Sequence, residues 1–410
     1  MRNNISYFYL MPSTFRKTKV AFSVTNCICH DQRVMKIAGT VCNLDCDITI
    51  IGRKSDDCYN SDSVPFRTHR FRMFFKRGFL FYAFFNLRLF CFLLLHRYDL
   101  LVSNDLDTLL PNYLVSKLKH LPLVYDSHEY FTGVPEIQDR PMVRWVWRRI
   151  EKFVFPGLKH VMTVSDSIVS QYKSEYGFRP LTVRNCSIKT EQIIPFSREE
   201  LEINPNHLLL ILQGTGINVD RGGEELIDAV SLTDKVSLLV IGSGDQFKFL
   251  NEKVSQMGLT GQIKFIKKLE WKELMRYTRS ADAGLSLDKN SNMNYNFSLP
   301  NKVFDYISAG IPVIATDLHE IAKIVHEYNC GILISQPTPE EISKAIIKLR
   351  DNRDLLIKLK HNAAIASETL NWENESLKVV ELYRSIIKES ITYTEKHRED
   401  EEYHRGANIF

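Results

Sequence analysis

The residues with the clearest chemical content run from Ser298 to Glu320: Ser298-Leu-Pro-Asn-Lys-Val-Phe-Asp-Tyr-Ile-Ser-Ala-Gly-Ile-Pro-Val-Ile-Ala-Thr-Asp317, then Leu-His-Glu320. The order predicts a loop, a helix from about Lys302, a stop at Gly310 and a strand over 311–315. Pro300 stands just before the helix, where a missing N–H is harmless. A helix N-terminus offers free N–H groups and partial positive charge, which suits a phosphate. Asn301 and Lys302 stand at that point, and Lys302 adds a mobile cation. Asp305, one turn in, can accept hydrogen bonds from a ribose diol. The expected ligand is therefore a nucleotide diphosphate.

A second group reads Gln213-Gly-Thr-Gly-Ile-Asn-Val-Asp-Arg-Gly-Gly223: a strand, a glycine turn and a helix, the layout of a diphosphate loop. Gly214 opens the turn and Arg221 supplies a cation. Gly242-Ser-Gly-Asp245 ends another strand, and Gly244 there allows close backbone approach, although any tight turn reads the same way. In the first half, Val124-Tyr-Asp-Ser-His-Glu-Tyr130 follows a strand and brings Asp126, His128 and Glu129 together. Asp105 and Asp107 close another strand and are candidates for acceptor hydroxyls. His30-Asp-Gln-Arg33 contributes Asp31 and Arg33, which also fit a helix-cap pair. A capping or salt-bridged loop residue is the alternative for each of these.

The elements that must position these residues alternate. Strands are expected at 19–25, 47–51, 100–103, 121–126, 160–164 and 181–184, with helices between most of them; the first helix spans 32–44, with Val34, Ile37, Ala38 and Val41 on one face. After the polar stretch 187–206 the alternation restarts, with strands at 207–212, 236–241, 263–266, 283–287 and 312–315. This predicts an α/β chain of two Rossmann-like, doubly wound domains over 17–189 and 190–390, followed by a charged disordered tail, 391–410. Ligands of such sheets bind at the carboxyl ends of the strands, so the site belongs in the cleft between the halves.

With 410 residues the chain exceeds one ordinary core, and its 44% hydrophobic and 25% charged content excludes a disordered protein. Cysteines stand at 27, 29, 42, 46, 58, 91, 186 and 330. They are too sparse for a disulfide scaffold, and the C-x-C and C-x3-C spacings do not make zinc knuckles, so no metal site is expected. The patch Tyr7 to Met11 lacks a cleavage-like site, which predicts a cytoplasmic protein. From Ser63 to Tyr98 there is no Asp or Glu, while Arg67, Arg70, Arg72, Lys76, Arg77, Arg88 and Arg97 alternate with Phe and Leu. Asn86 and Arg88 interrupt the apolar run 79–95, which argues against a spanning helix. Residues 66–97 are expected to touch an anionic membrane surface, with a buried crossover helix as the alternative. Nothing builds a basic groove for nucleic acid.

The Ser298 to Glu320 segment resembles the signature of the retaining glycosyltransferases of family four, the group 1 glycosyltransferases, which have the two-domain GT-B fold. The family pattern has two Glu residues eight positions apart. Asp305 matches the second, which holds the ribose, and Phe297 stands at the first, so contacts to the donor sugar are expected from Asn296, Ser298 or backbone. An Arg and a Lys bracket the family's diphosphate loop. Arg221 resembles the Lys, Thr215 stands at the Arg position, and Lys267 or Lys268 is the expected substitute. The resemblance implies His128 facing the donor sugar and Glu129 orienting it or the acceptor. It further implies retaining, metal-independent transfer from a nucleotide-diphosphate sugar, with no other cofactor, to a glycan or lipid-linked glycan in cell-surface polysaccharide synthesis. A non-catalytic subunit of the same fold and a nucleotide-sugar epimerase are the competing readings.

Overall fold

The computed structural model describes residues 16–28, 31–54 and 64–407, and side chains through residue 389 apart from 135 and 136. His30, Cys29, Cys58 and the apolar patch 7–11 lie outside the described residues.

The first sheet contains β1 (Thr18–Ser23), β2 (Cys46–Arg53), β3 (Arg67–Phe71), β4 (Leu100–Asn104), β5 (Leu123–Ser127), β6 (His160–Thr163) and β7 (Leu181–Thr182). Its spatial order is β3-β2-β1-β4-β5-β6-β7, and every pairing is parallel. Its helices are α1 (Gln32–Cys42), α2 (Gly78–Leu95), α3 (Leu109–Lys119), α4 (Pro135–Gln138), α5 (Pro141–Val154) and α6 (Asp166–Tyr176). The second sheet holds β8 (Leu208–Gly214), β9 (Val236–Gly242), β10 (Ile263–Lys267), β11 (Ala283–Ser286), β12 (Val313–Thr316) and β13 (Gly331–Ile334). These run β10-β9-β8-β11-β12-β13, again all parallel. Around it stand α7 (Gly223–Ser231), α8 (Phe247–Gln256), α9 (Trp271–Ser280), α10 (Met293–Phe297), α11 (Asn301–Ser308), α12 (His319–Tyr328), α13 (Pro339–Asp351) and α14 (Arg353–Thr369), before α15 (Trp372–Ala407).

Parallel strands covered on both faces read as continuous apolar runs. In β8, Leu209 and Ile211 enter one core while Leu208, Leu210 and Leu212 enter the other. Strand order reverses between β1 and β4 in one sheet and between β8 and β11 in the other. Those are the two switch points where an open α/β sheet leaves a crevice.

Three features differ from the sequence-based expectation. Strand β3 lies inside the basic segment, where Arg67 and Arg70 hide its pattern; it is an edge strand, and charge suits an edge. The short edge strand β13 was not expected either. The segment 391–407, expected as a disordered tail, continues α15 to Ala407, since its Glu, Lys and Arg residues are good helix formers until Gly406. Helix α15 also leaves the second half: Trp372, Val379, Tyr383 and Ile386 pack with Val20, Phe22 and Ile37 on the face of the first sheet that α1 covers, opposite α2.

Candidate active site

In the first half, four carboxylates surround one imidazole. His128 Nδ1 lies 3.2 Å from Asp105 Oδ2 and 4.0 Å from Asp31 Oδ2, and its Nε2 lies 3.2 Å from Asp126 Oδ2. Asp107, the fourth, accepts from the Thr25 hydroxyl. The loops after β1, β4 and β5 deliver Asp31, Asp105, Asp107 and His128, and β5 itself carries Asp126. Asp31 caps α1 by accepting from Val34 N–H at 3.1 Å. Asp105 holds φ at 61°, a region non-glycine residues rarely adopt. There its N–H donates to Asp126 O at 2.9 Å, and its carboxylate accepts from His128 N–H at 2.9 Å. Burial alone would lower the His128 pKa; Asp105, Asp126 and Asp31 override it and raise it to about 10. Carboxylates face both ring nitrogens of His128 and favour its protonated form. Burial pushes Asp105 and Asp107 up to about 7.

Arg33 and Asp126 do not fit the expectation of substrate contact. The Arg33 guanidinium is 2% exposed and donates to Asp126 through Nε at 2.9 Å and Nη2 at 2.6 Å, and through Nη1 to Val183 O at 2.7 Å. Burial opposes the charge on Asp126, but Arg33 and His128 hold its carboxyl down at about 2. The pair lies behind the site as its support.

In the second half, two strand-end turns are zipped together. Ser243 N–H donates to Gly214 O at 3.1 Å and Ile217 N–H to Ser243 O at 3.0 Å. Gly242 has φ of 148°, and a Cβ there would stand 1.7 Å from Gly214 O; at Gly244 it would stand 2.2 Å from Ile217 O. The turn then delivers Arg221, whose Nη1 lies 2.9 Å from Asp288 Oδ1 and whose guanidinium stacks 4.3 Å from the Tyr295 ring centre. Lys302 Nζ lies 3.8 Å from the other oxygen of Asp288. Burial lowers the Lys302 pKa while Asp288 raises it, with the first effect larger. The sequence reading missed Asp288; its only signal was its place just past the carboxyl end of β11. Asp288 brings Arg221 and Lys302 together at the start of α11. Lys268 follows β10, with β9 between that edge strand and β8.

Asp305 corrects a second expectation. It is buried, and its oxygens are taken: Oδ1 by the Ser187 hydroxyl and by Trp271 Nε1–H at 3.3 Å, Oδ2 by Gln213 Nε2–H at 2.9 Å. It ties the crossover segment to β8 and α9. The other helix-flanking residues also bond internally. Asn296 Oδ1 accepts from His319 N–H at 3.0 Å, Ser298 donates to Tyr295 O at 3.2 Å, and Asn301 Oδ1 accepts from Asn185 at 2.8 Å.

The carboxyl ends of the two sheets meet at α10. Asn294 accepts from Tyr130 N–H at 3.3 Å and donates to Glu129 Oε2 at 3.2 Å, so Glu129 faces the second half. Phe297 packs into the core under the first sheet beside Tyr130, and its carbonyl accepts from Ser165 Oγ at 2.7 Å. Glu320 accepts from Ser167 N–H at 2.9 Å. Among the described residues no group of His, Cys, Asp and Glu is arranged to hold a metal ion.

A family model described as "Glycosyl transferases group 1" matches residues 194–366, and one described as "Glycosyltransferase Family 4" matches residues 32–192. The chain belongs to the group 1, family four glycosyltransferases. Curated glycosyltransferases similar to it include a chitobiosyldiphosphodolichol beta-mannosyltransferase of Yarrowia lipolytica, 26% identical over 42% of this chain and 37% of that protein. A D-inositol 3-phosphate glycosyltransferase of Corynebacterium urealyticum is 27% identical over 35% of this chain and 33% of that one. The chain thus spans about a third of the length of these relatives. Sucrose-phosphate synthase of Thermosynechococcus elongatus superposes with a TM-score of 0.73 at 16% identity, over 91% of this chain and 100% of that structure. HepE of Anabaena, solved with UDP-glucose, gives 0.70 at 16% identity, over 90% and 99%. The two glycosyltransferase sheets described above are those of the GT-B fold.

Proposed function

We propose that the chain transfers a sugar, with retention, from a nucleotide-diphosphate sugar to a glycan or lipid-linked glycan acceptor in cell-surface polysaccharide synthesis. The observation that carries this reading is the pair Arg221 and Lys302, held by one buried carboxylate beside the glycine turn and the N-terminus of α11. As the bond from sugar C1 to the phosphate oxygen breaks, negative charge grows on the diphosphate. Two cations and the helix N–H groups favour that charge more in the transition state than in the ground state. The acceptor hydroxyl forms the new bond to C1 on the same face, and its proton passes to the leaving phosphate. His128 faces the donor sugar across the cleft, and Glu129 orients the sugar or acceptor. Phe297 is turned into the neighbouring half, so its side chain offers no acid to the sugar. The HepE structure with UDP-glucose and the diphosphodolichol acceptor in the fungal relative's name support these substrate classes.

Hydrolysis and transfer assays over a panel of UDP- and GDP-sugars test the proposal. Release of nucleotide diphosphate, with a product of retained anomeric configuration, is expected for at least one donor. Interconversion of donors without release would indicate an epimerase. Binding without turnover would make the chain a non-catalytic subunit.

A further inference from the structure

Helix α2 is apolar all the way round, yet one side of it lies on the surface. Its inner stripe, Phe81, Phe85, Leu89 and Leu93, is buried under the first sheet. Its outer stripe, Leu80, Ala83, Leu87, Cys91 and Leu94, is exposed and holds no charged side chain, with Leu87 60% exposed. The two polar residues at its middle are tied inward. Asn86 donates to Asp107 O at 2.9 Å, and Arg88 donates to Arg72 O at 2.6 Å while lying 4.8 Å from the Phe71 ring centre. An ordinary surface helix puts charge on its outer face. This one does not.

Helix α5 continues the surface on the same side of the sheet. Its Trp147 meets Tyr82 of α2 edge-on at 5.4 Å, and Trp147 and Val154 share the α2 core. On its outer side Met142, Phe153 and Trp145 are exposed, Trp145 by 58%, and the Arg149 guanidinium lies 5.1 Å from the Trp145 ring centre. Helix α3 adds exposed Leu114, Lys117 and Leu118. Exposed cations frame the apolar area: Lys76 and Arg77 before α2, Arg97 after it, and Arg148, Arg149 and Lys152 on α5. Across α2, α3 and α5 the one acidic residue is Glu151, and it is buried.

We infer that the outer faces of α2, α3 and α5 form one docking surface for a bilayer containing anionic lipid. Apolar side chains enter the acyl boundary, Trp145 anchors at headgroup depth, and the cations meet headgroup charge. The helix lies on the membrane rather than across it, because its inner stripe is already buried in protein. This surface widens the contact expected for 66–97 to two further helices, α3 and α5. It stands independently of the reading of the active site.

The test is co-sedimentation of the full chain with phosphatidylcholine vesicles, and with vesicles carrying about 30% phosphatidylglycerol. Pelleting with the anionic vesicles alone is expected, weakened by salt. The double substitutions Leu87→Glu/Trp145→Glu and Arg148→Glu/Arg149→Glu should each reduce it at least tenfold. Because these positions are exposed, melting temperature and donor turnover in solution should stay unchanged in both variants. No pelleting by the wild type, or equal pelleting by both variants, would overturn the proposal. So would self-association of the wild type that Leu87→Glu abolishes, which would assign the surface to a second copy of the chain.

Discussion

At the scale of single residues, His128 shows how far an environment can change a role. A histidine near a cleft reads as a general base, but the carboxylates around it raise its pKa to about 10 from 6.5. His128→Ala would leave Asp105 and Asp126 without their shared partner and cost about 3 kcal/mol of stability, seen as a lower urea midpoint. The stability that His128 contributes is complete below its unfolded pKa of 6.5 and lost as pH rises through 10. Asp105 and Asp107 are also raised, so their contribution is complete below 3.8 and lost as pH rises through about 7. Unfolding free energy should therefore fall between about pH 5 and pH 9, and Asp105→Asn should flatten the part of the fall near neutrality. On the other side of the cleft, Arg221→Ala or Lys302→Met should lower kcat about a hundredfold, measured as initial rates with the preferred donor. The sequence pattern indicated where Arg221, His128 and Glu129 stand, after strands, and where Lys302 stands, at a helix start. The contacts were not legible: Asp288, and the pairing of Arg33 with Asp126, join segments far apart in the chain, which no local pattern records.

At the scale of elements, the glycine turns decide whether the diphosphate loop can form. Gly242→Ala would drive a Cβ into Gly214 O at a backbone φ of 148°, so a loss of about 3 kcal/mol in a denaturant titration is expected. Apolar runs and their spacing made eleven of the thirteen strands legible, because parallel strands buried on both faces have little choice of residue. The two that escaped, β3 and β13, are edge strands with one neighbour each and a weaker apolar requirement. Asp305 was read as one turn into a helix and free to meet a ribose. Its engagement by Ser187, Gln213 and Trp271 depends on how the crossover segment and α9 pack around α11, which the helix pattern does not contain.

At the scale of the whole molecule, the halves are joined at several points, among them the Glu320 carboxylate on Ser167. Helix α15 returns to the first core, and α10 reaches over with Asn294 and Phe297. Phe297→Ala removes an aromatic side chain shared between halves, and a larger radius of gyration by small-angle scattering is the expected outcome. The return of α15 was not legible in the sequence, because an amphipathic helix does not state which sheet it will cover. Arg221, Lys302, the glycine turn and the start of α11 together build the proposed nucleotide-diphosphate site. Calorimetric titration of the full chain with UDP and GDP, repeated on the Arg221→Ala/Lys302→Met double variant, tests it most directly. One of the two nucleotides should bind the wild type at a single site, and the double variant should bind it at least a hundredfold more weakly. Equal affinity in wild type and double variant, or no binding of either nucleotide to the wild type, would contradict it.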